Sequence, residues 1–327
     1  GASAGFEGSA ESLLVTDTNE GWVFHVLPDS TGTSAVWVAK RVPDGHVTVV
    51  MNMFTVRDVN LTDTANCLGS ANMHDIAKEQ GWWDPSMGLL DFTKTFSDGE
   101  YAHKYYSGRR MWGAFRKIAP SVKLPAEYGN LRDDAPYPWS LPPDDKVSPQ
   151  DLMAWHREYY AGTPYSLSDG LAAGPYGNPD RVTAGAGEAK VKGAWERPIA
   201  LFRTTYSFVV QCRGWLADDV GGTVWFGPHA SLGTVYVPFA IGVSDLPWSY
   251  QTGNQSVLDR GAAWWAHRYV YNLAKGLRWD VAGQELSAAQ GEYESKGAAL
   301  QAEVDGMSGQ QDKITEAYFE HARSVLD

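Results

Sequence analysis

The residues able to do chemistry in this chain are spread out rather than clustered. Asn52 is a lone amide inside the apolar run Val49-Val-Met-Asn-Met-Phe54, and a buried amide must find hydrogen-bond partners. Arg109 and Arg110 are adjacent within a run of helical periodicity, so they point about 100° apart and only one can face a given site. Tyr206 follows Thr204 and Thr205 on an expected strand, and His229 closes Trp225-Phe-Gly-Pro-His229 in an expected loop. These two are the substrate-side candidates, with His229 suited to a carboxylate or, alternatively, to capping its loop.

Other signatures are missing. The 8 histidines are scattered with no His-x-x-x-His or His-Glu-x-x-His spacing, so no metal site is expected. No Gly-x-Gly-x-x-Gly opens a helix and no P-loop occurs, so no cofactor is expected either. Gly1-Ala-Ser-Ala-Gly5 matches a nucleophile-elbow string, but the strand that would hold the strained turn is lacking. Asp133-Asp134 and Asp144-Asp145 read as solvated loop tips. The 2 cysteines, Cys67 in an expected loop and Cys212 at a strand end, leave room for at most one bridge.

A net charge of −12 argues against nucleic acid and anionic membranes as partners, because phosphate neutralisation needs clustered Lys and Arg. No apolar stretch is long enough to span a bilayer. Asn60-Leu-Thr62 and Asn254-Gln-Ser256 are glycosylation sequons, with Asn60 and Asn254 as acceptors, and they lean towards a lysosomal, vacuolar or secreted protein. A cytoplasmic location suits the low cysteine count equally well.

These residues must be positioned by a mixed set of elements. Residues 12–15, 21–27, 35–41 and 47–54 read as a β-meander punctuated by Asp17-Thr-Asn19, Pro28-Asp-Ser-Thr-Gly32 and Pro43-Asp-Gly45. Trp22 to Leu27 is apolar at both alternating sets apart from His25, which predicts a strand covered on both faces. A helix is expected over 100–118, and a second from the Ser148-Pro149-Gln-Asp151 cap to about Tyr160. Long Pro/Gly/Asp-rich stretches occupy 125–145 and 162–187. Strands return at 198–213, 223–226 and 234–239, and helices follow at 257–281, 287–305 and 312–326. The alternation predicts an α+β layered domain.

Several strings, in order, resemble peptidase family C69, the dipeptidase and secernin-like group. They are Glu20-Gly-Trp-Val-Phe-His-Val-Leu-Pro28, Val36-Trp-Val-Ala-Lys-Arg-Val-Pro43, Val49-Val-Met-Asn-Met-Phe54, Tyr105-Tyr-Ser-Gly-Arg-Arg110, Gly129-Asn-Leu-Arg-Asp-Asp134 and Trp225-Phe-Gly-Pro-His229. The resemblance spans roughly residues 8 to 280. It implies an N-terminal-nucleophile hydrolase: an αββα sandwich of two antiparallel sheets, whose exposed N-terminal cysteine attacks an amide carbonyl with its own α-amino group as base.

By the same resemblance, Asn52 is the expected oxyanion donor and Arg109 the charge that favours the thiolate. Residue 1 is Gly, and the family's Cys and following Asp-Gly-Ser stretch have no counterpart here. The expected arrangement is therefore residues 1–281 as the major part of the hydrolase domain, with 282–327 as a helical extension packed on it. The nucleophile would come from a missing upstream segment or, as a separate chain, from an N-terminal catalytic fragment of the same precursor. A small peptide is the expected substrate, and a homo-oligomer is compatible with the reading. The competing expectation is a binding or assembly module that kept the fold without the chemistry.

Overall fold

The computed structural model describes residues 10–97, 104–127, 137–180 and 196–327. The strings at 1–5 and 129–134, the start of the expected helix at 100–103 and part of the 162–187 loop lie outside them. The chain is α+β with antiparallel sheets, and it divides into two compact units, Gly1–Lys146 and Val147–Asp327.

The first unit holds a 4-stranded antiparallel sheet in the order β1 (Glu11–Thr16), β2 (Gly21–Pro28), β3 (Ala35–Arg41), β4 (Cys67–Gly69). Its hairpins close where turn chemistry predicts. Asp17 Oδ1 accepts the amides of Asn19 and Glu20, and Asp29 Oδ1 accepts those of Thr31 and Gly32. On β2, Val23 and His25 are fully buried while Trp22, Phe24 and Val26 are only half-buried. Burial is thus deeper on one face than on the other.

Two expectations fail here. Residues 47–54 do not form a strand. Val47 makes only an isolated bridge to Leu141, and the backbone turns at Asn52, whose φ of 52° lies in the left-handed region that no strand residue adopts. Asn52 is therefore not on a fourth strand. That place belongs to Cys67–Gly69, read from the sequence as a loop, which pairs with Val38–Lys40 of β3. Beyond the turn, Phe54, Val56 and Val59 enter the core with Val36, Val38, Met73, Leu90 and Phe92. Their apolar character reflects core anchoring by an irregular segment whose only bridge among the described residues is Val59 to Leu90.

Helices α1 (Met73–Glu79) and α2 (Phe92–Phe96) border this core, and α3 (Arg109–Ile118) follows a π-helical turn over Lys104–Gly108.

The second unit opens with α4 (Pro149–His156), where Ser148 is the expected N-cap and Asp151 bonds back to it to make the cap reciprocal. A 3-stranded antiparallel sheet follows, β5 (Tyr206–Cys212), β6 (Gly222–Pro228) and β7 (Val237–Ala240), with the short α5 (Asp218–Gly221) between β5 and β6. After α6 (Trp248–Gln251), helix α7 (Ala263–Gly276) starts later than its apolar pattern suggests, because Asp259 accepts the Gly261 amide and bends the chain. Helices α8 (Trp279–Val304) and α9 (Gln311–Leu326) pack on β7. Gly297 permits the close approach of α8: a Cβ there would sit 3.1 Å from Trp225 and from Pro238.

Candidate functional site

The left-handed turn at Asn52 is held by one guanidinium. Arg110 Nη1 donates to Asn52 Oδ1 at 2.9 Å, Nη2 to the Met51 carbonyl at 3.2 Å, and Nε to the Tyr106 carbonyl at 2.6 Å. Arg110 is buried, and it lies 4.7 Å over the Tyr106 ring. Its planar fork suits three acceptors spread over two segments. Because arginine only donates, the Asn52 side-chain oxygen must be the atom facing it. The Asn52 amide nitrogen is consequently turned away on an exposed residue.

Arg109, one residue earlier, goes elsewhere. It is 1% exposed, with Nη1 donating to the Ala126 carbonyl at 2.6 Å and Nη2 to Glu127 Oε1 at 3.4 Å. Lys104, in the π-helical turn, also pairs with Glu127 and holds that carboxyl below the usual range. Asn52 and Arg110 are therefore brought together, whereas Arg109 belongs to a second cluster on the 126–127 loop. Adjacent arginines are indistinguishable to periodicity, so the sequence could not say which of the two would reach Asn52. A π-helical turn just before them, which shifts the helical register by about a residue, leaves no sequence signal.

His25 lies in the same unit and is fully buried between Phe54 and Phe92. Its Nε2 accepts the Thr55 amide at 3.0 Å, so Nδ1 carries the proton and donates to Ser12 Oγ at 2.7 Å. Burial pushes its pKa down to about 4. Cys67 is 4% exposed in the core, and burial raises its thiol pKa; Cys212 is half-buried at the end of β5.

The second unit holds one closed polar network. Arg157 forks onto Glu294, with Nη1 3.0 Å from Oε2 and Nη2 on Oε1, and also donates to the Ser231 and Thr234 carbonyls at 3.0 Å. Glu294 Oε1 further accepts the Tyr236 amide at 3.0 Å. The Tyr236 hydroxyl bridges His156 Nδ1 at 3.1 Å and Ser207 Oγ at 2.7 Å.

Tyr206 is 54% exposed and stacks beside Phe208 and Phe226. His229 is fully buried at φ 83° between Trp264 and Tyr271, and neither ring nitrogen has a hydrogen-bond partner. Burial, followed by the Arg268 charge, pushes its pKa down to about 3. Asn60 and Asn254 are exposed, and each side-chain oxygen accepts an amide two residues on, from Thr62 and Ser256.

No group of three or more His, Cys, Asp or Glu able to hold a metal ion occurs among the described residues, and no helix among them is long and apolar enough to cross a membrane.

Comparison with known proteins adds an identity to this geometry. The family model described as Peptidase family C69 matches residues 4–292. The chain is 26% identical over 259 residues to a probable dipeptidase of Latilactobacillus sakei, covering 79% of this chain and 49% of that one. It is 26% identical over 256 residues to a probable dipeptidase of Salmonella dublin, covering 78% and 50%. Against dipeptidase A of Lactobacillus helveticus it is 21% identical over 239 residues, covering 72% and 45%. The chain spans about half the length of these curated relatives.

Proposed function

This chain belongs to peptidase family C69, and from that premise we propose that it supplies the oxyanion side of a cysteine-dependent amidohydrolase acting on dipeptides or similar small amides. The fold we assign is the αββα sandwich of N-terminal-nucleophile hydrolases. The observation that carries the reading is Asn52, whose amide nitrogen is presented outward because its oxygen is tied to Arg110.

In this reaction a thiolate adds to the amide carbonyl carbon, and the C=O π pair moves onto oxygen. Asn52 Nδ2–H donates to that oxyanion as its charge develops. Collapse re-forms the carbonyl and expels the amine, which leaves with a proton from the nucleophile's own α-ammonium group, and water then hydrolyses the thioester. The thiolate-favouring charge is assigned to Arg109.

We infer that the nucleophile lies outside residues 1–327, on an upstream segment or a separate N-terminal fragment of the same precursor. Support comes from Cys67, which burial makes a poor nucleophile. Location in a lysosome, vacuole or secreted fluid is proposed on the exposed sequons at Asn60 and Asn254.

The apolar row Tyr206, Phe208 and Val210, about half exposed on the edge strand β5, favours a second reading as a binding module. One assay separates the two. The full-length protein should hydrolyse dipeptides and lose that activity on thiol alkylation. Hydrolysis that survives alkylation would exclude the cysteine mechanism, and no hydrolysis at all would favour the binding module.

A further inference from the structure

We propose that Arg110 is a positioning residue that sets the direction and donor strength of the Asn52 amide. The inference rests on Asn52 acting as an oxyanion donor, and it goes beyond that reading by assigning a distinct task to the second of two adjacent arginines.

The argument starts from the amide. A side-chain amide that rotates freely presents oxygen and nitrogen to a site in turn, and the oxygen would repel an oxyanion. Arg110 removes that ambiguity, since a guanidinium can only donate and therefore selects Oδ1. The same guanidinium grips the Met51 carbonyl, so the backbone leading into the turn is tied to the group that orients the side chain. Its third bond, Nε to the Tyr106 carbonyl, anchors the fork to the π-helical turn before α3.

Orientation is half of the effect. A positive charge bonded to the amide oxygen draws electron density towards that oxygen and makes the N–H groups stronger donors. Negative charge developing on the substrate oxygen that Nδ2–H bonds is then stabilised by the Arg110 charge through Asn52, without contact between Arg110 and substrate. Lysine would keep the charge but not the fork, because one ammonium on a flexible stem cannot reproduce the planar set of three bonds. Arg109 cannot substitute, as its guanidinium is committed to Ala126 and Glu127.

This assignment predicts coupling. In the full-length protein, Arg110→Gln should lower kcat for a dipeptide by about 10- to 100-fold with little change in KM, because the lost interaction is made in the transition state. Arg110→Lys should recover only part of that loss. In an Asn52→Ala background, Arg110→Gln should cost nothing further, since the residue it positions is gone.

A multiplicative loss in the double variant would overturn the proposal and assign Arg110 an action independent of Asn52. So would full rescue by Lys, which needs charge alone. A readout that does not depend on hydrolysis keeps the test decisive if the wild type proves inactive or a variant folds poorly. The Asn52 side-chain NH2 signals in the wild type should show one fixed rotamer by NMR, and they should average or broaden in both Arg110→Gln and Arg110→Lys. Sharp, unchanged Asn52 signals in a folded Arg110→Lys protein would contradict the positioning role, whatever the fate of the hydrolase reading.

Discussion

Each unit ties an arginine into a polar network, Arg110 buried and Arg157 half-buried, and the two end in opposite situations. Arg157 meets both oxygens of Glu294 and two carbonyls, and Glu294 accepts a further amide from Tyr236. Arg110 meets two carbonyls and the Asn52 oxygen, but the residue it holds keeps a donor facing outward. The saturated network ties α4, the β6–β7 connection and α8 together and offers nothing to a substrate. The open network spends its bonds on orienting one group whose own valence is unfilled. Buried polar clusters therefore divide into those that close on themselves and those that point at something.

Breaking the saturated side should show up as lost stability. Glu294→Ala leaves the half-buried Arg157 charge beside carbonyls with no carboxylate, and the loss should approach, without exceeding, the about 3–5 kcal/mol of a fully buried pair. Urea unfolding should find that loss, while kcat of the folded fraction stays unchanged. A small stability change with a large loss of kcat would reverse the comparison.

Two buried histidines repeat the contrast. His25 has both nitrogens occupied, His229 has neither, and burial lowers both pKa values from about 6.5, to about 4 and about 3. Each is neutral in the fold and protonates more readily unfolded. The stability it contributes is complete above about pH 6.5 and declines as pH falls towards the folded pKa, by about 1.4 kcal/mol per pH unit for each histidine. Unfolding free energies measured between pH 7.5 and 4.5 should fall more steeply than these two alone require, because burial also lowers His74, His156, His267 and His321. His229→Phe should remove its share of the slope without losing a hydrogen bond, whereas His25→Phe also forfeits the bonds to Ser12 and Thr55. An unchanged slope in His229→Phe would show that the ring is not buried neutral.

The smallest effect concerns the surface. Asn60 and Asn254 are both accessible, so protein from its native source should lose mass on glycosidase treatment if it passes through a secretory route. Unchanged mass would remove the support for that location.

Much of the scaffold was legible because local chemistry decides it. The Asp17 and Asp29 turns, the Ser148 cap and the β2–β3 hairpin all arise from residues within a few positions of one another. The site was legible only in part. Residues 47–54 carry the apolar composition of a strand, yet core anchoring at Phe54 and Val56 produces the same composition without pairing. Cys67–Gly69 is too short to signal a strand, and only the edge of β3 makes it one. Asn52 stood out as a lone amide, but its partner is 58 positions away. No local pattern ranks Arg110 above Arg109, because the difference lies in which acceptors the fold brings within reach.

The central claim is that Asn52 donates to the oxyanion from a position the fold has fixed. Asn52→Asp keeps an oxygen for Arg110 and removes the N–H donors, so the turn should survive while the chemistry does not. Its kcat on a dipeptide, measured beside its unfolding midpoint in the full-length protein, should fall by about 10²- to 10³-fold with the midpoint nearly unchanged. Wild-type kcat in a folded Asn52→Asp protein would contradict the account.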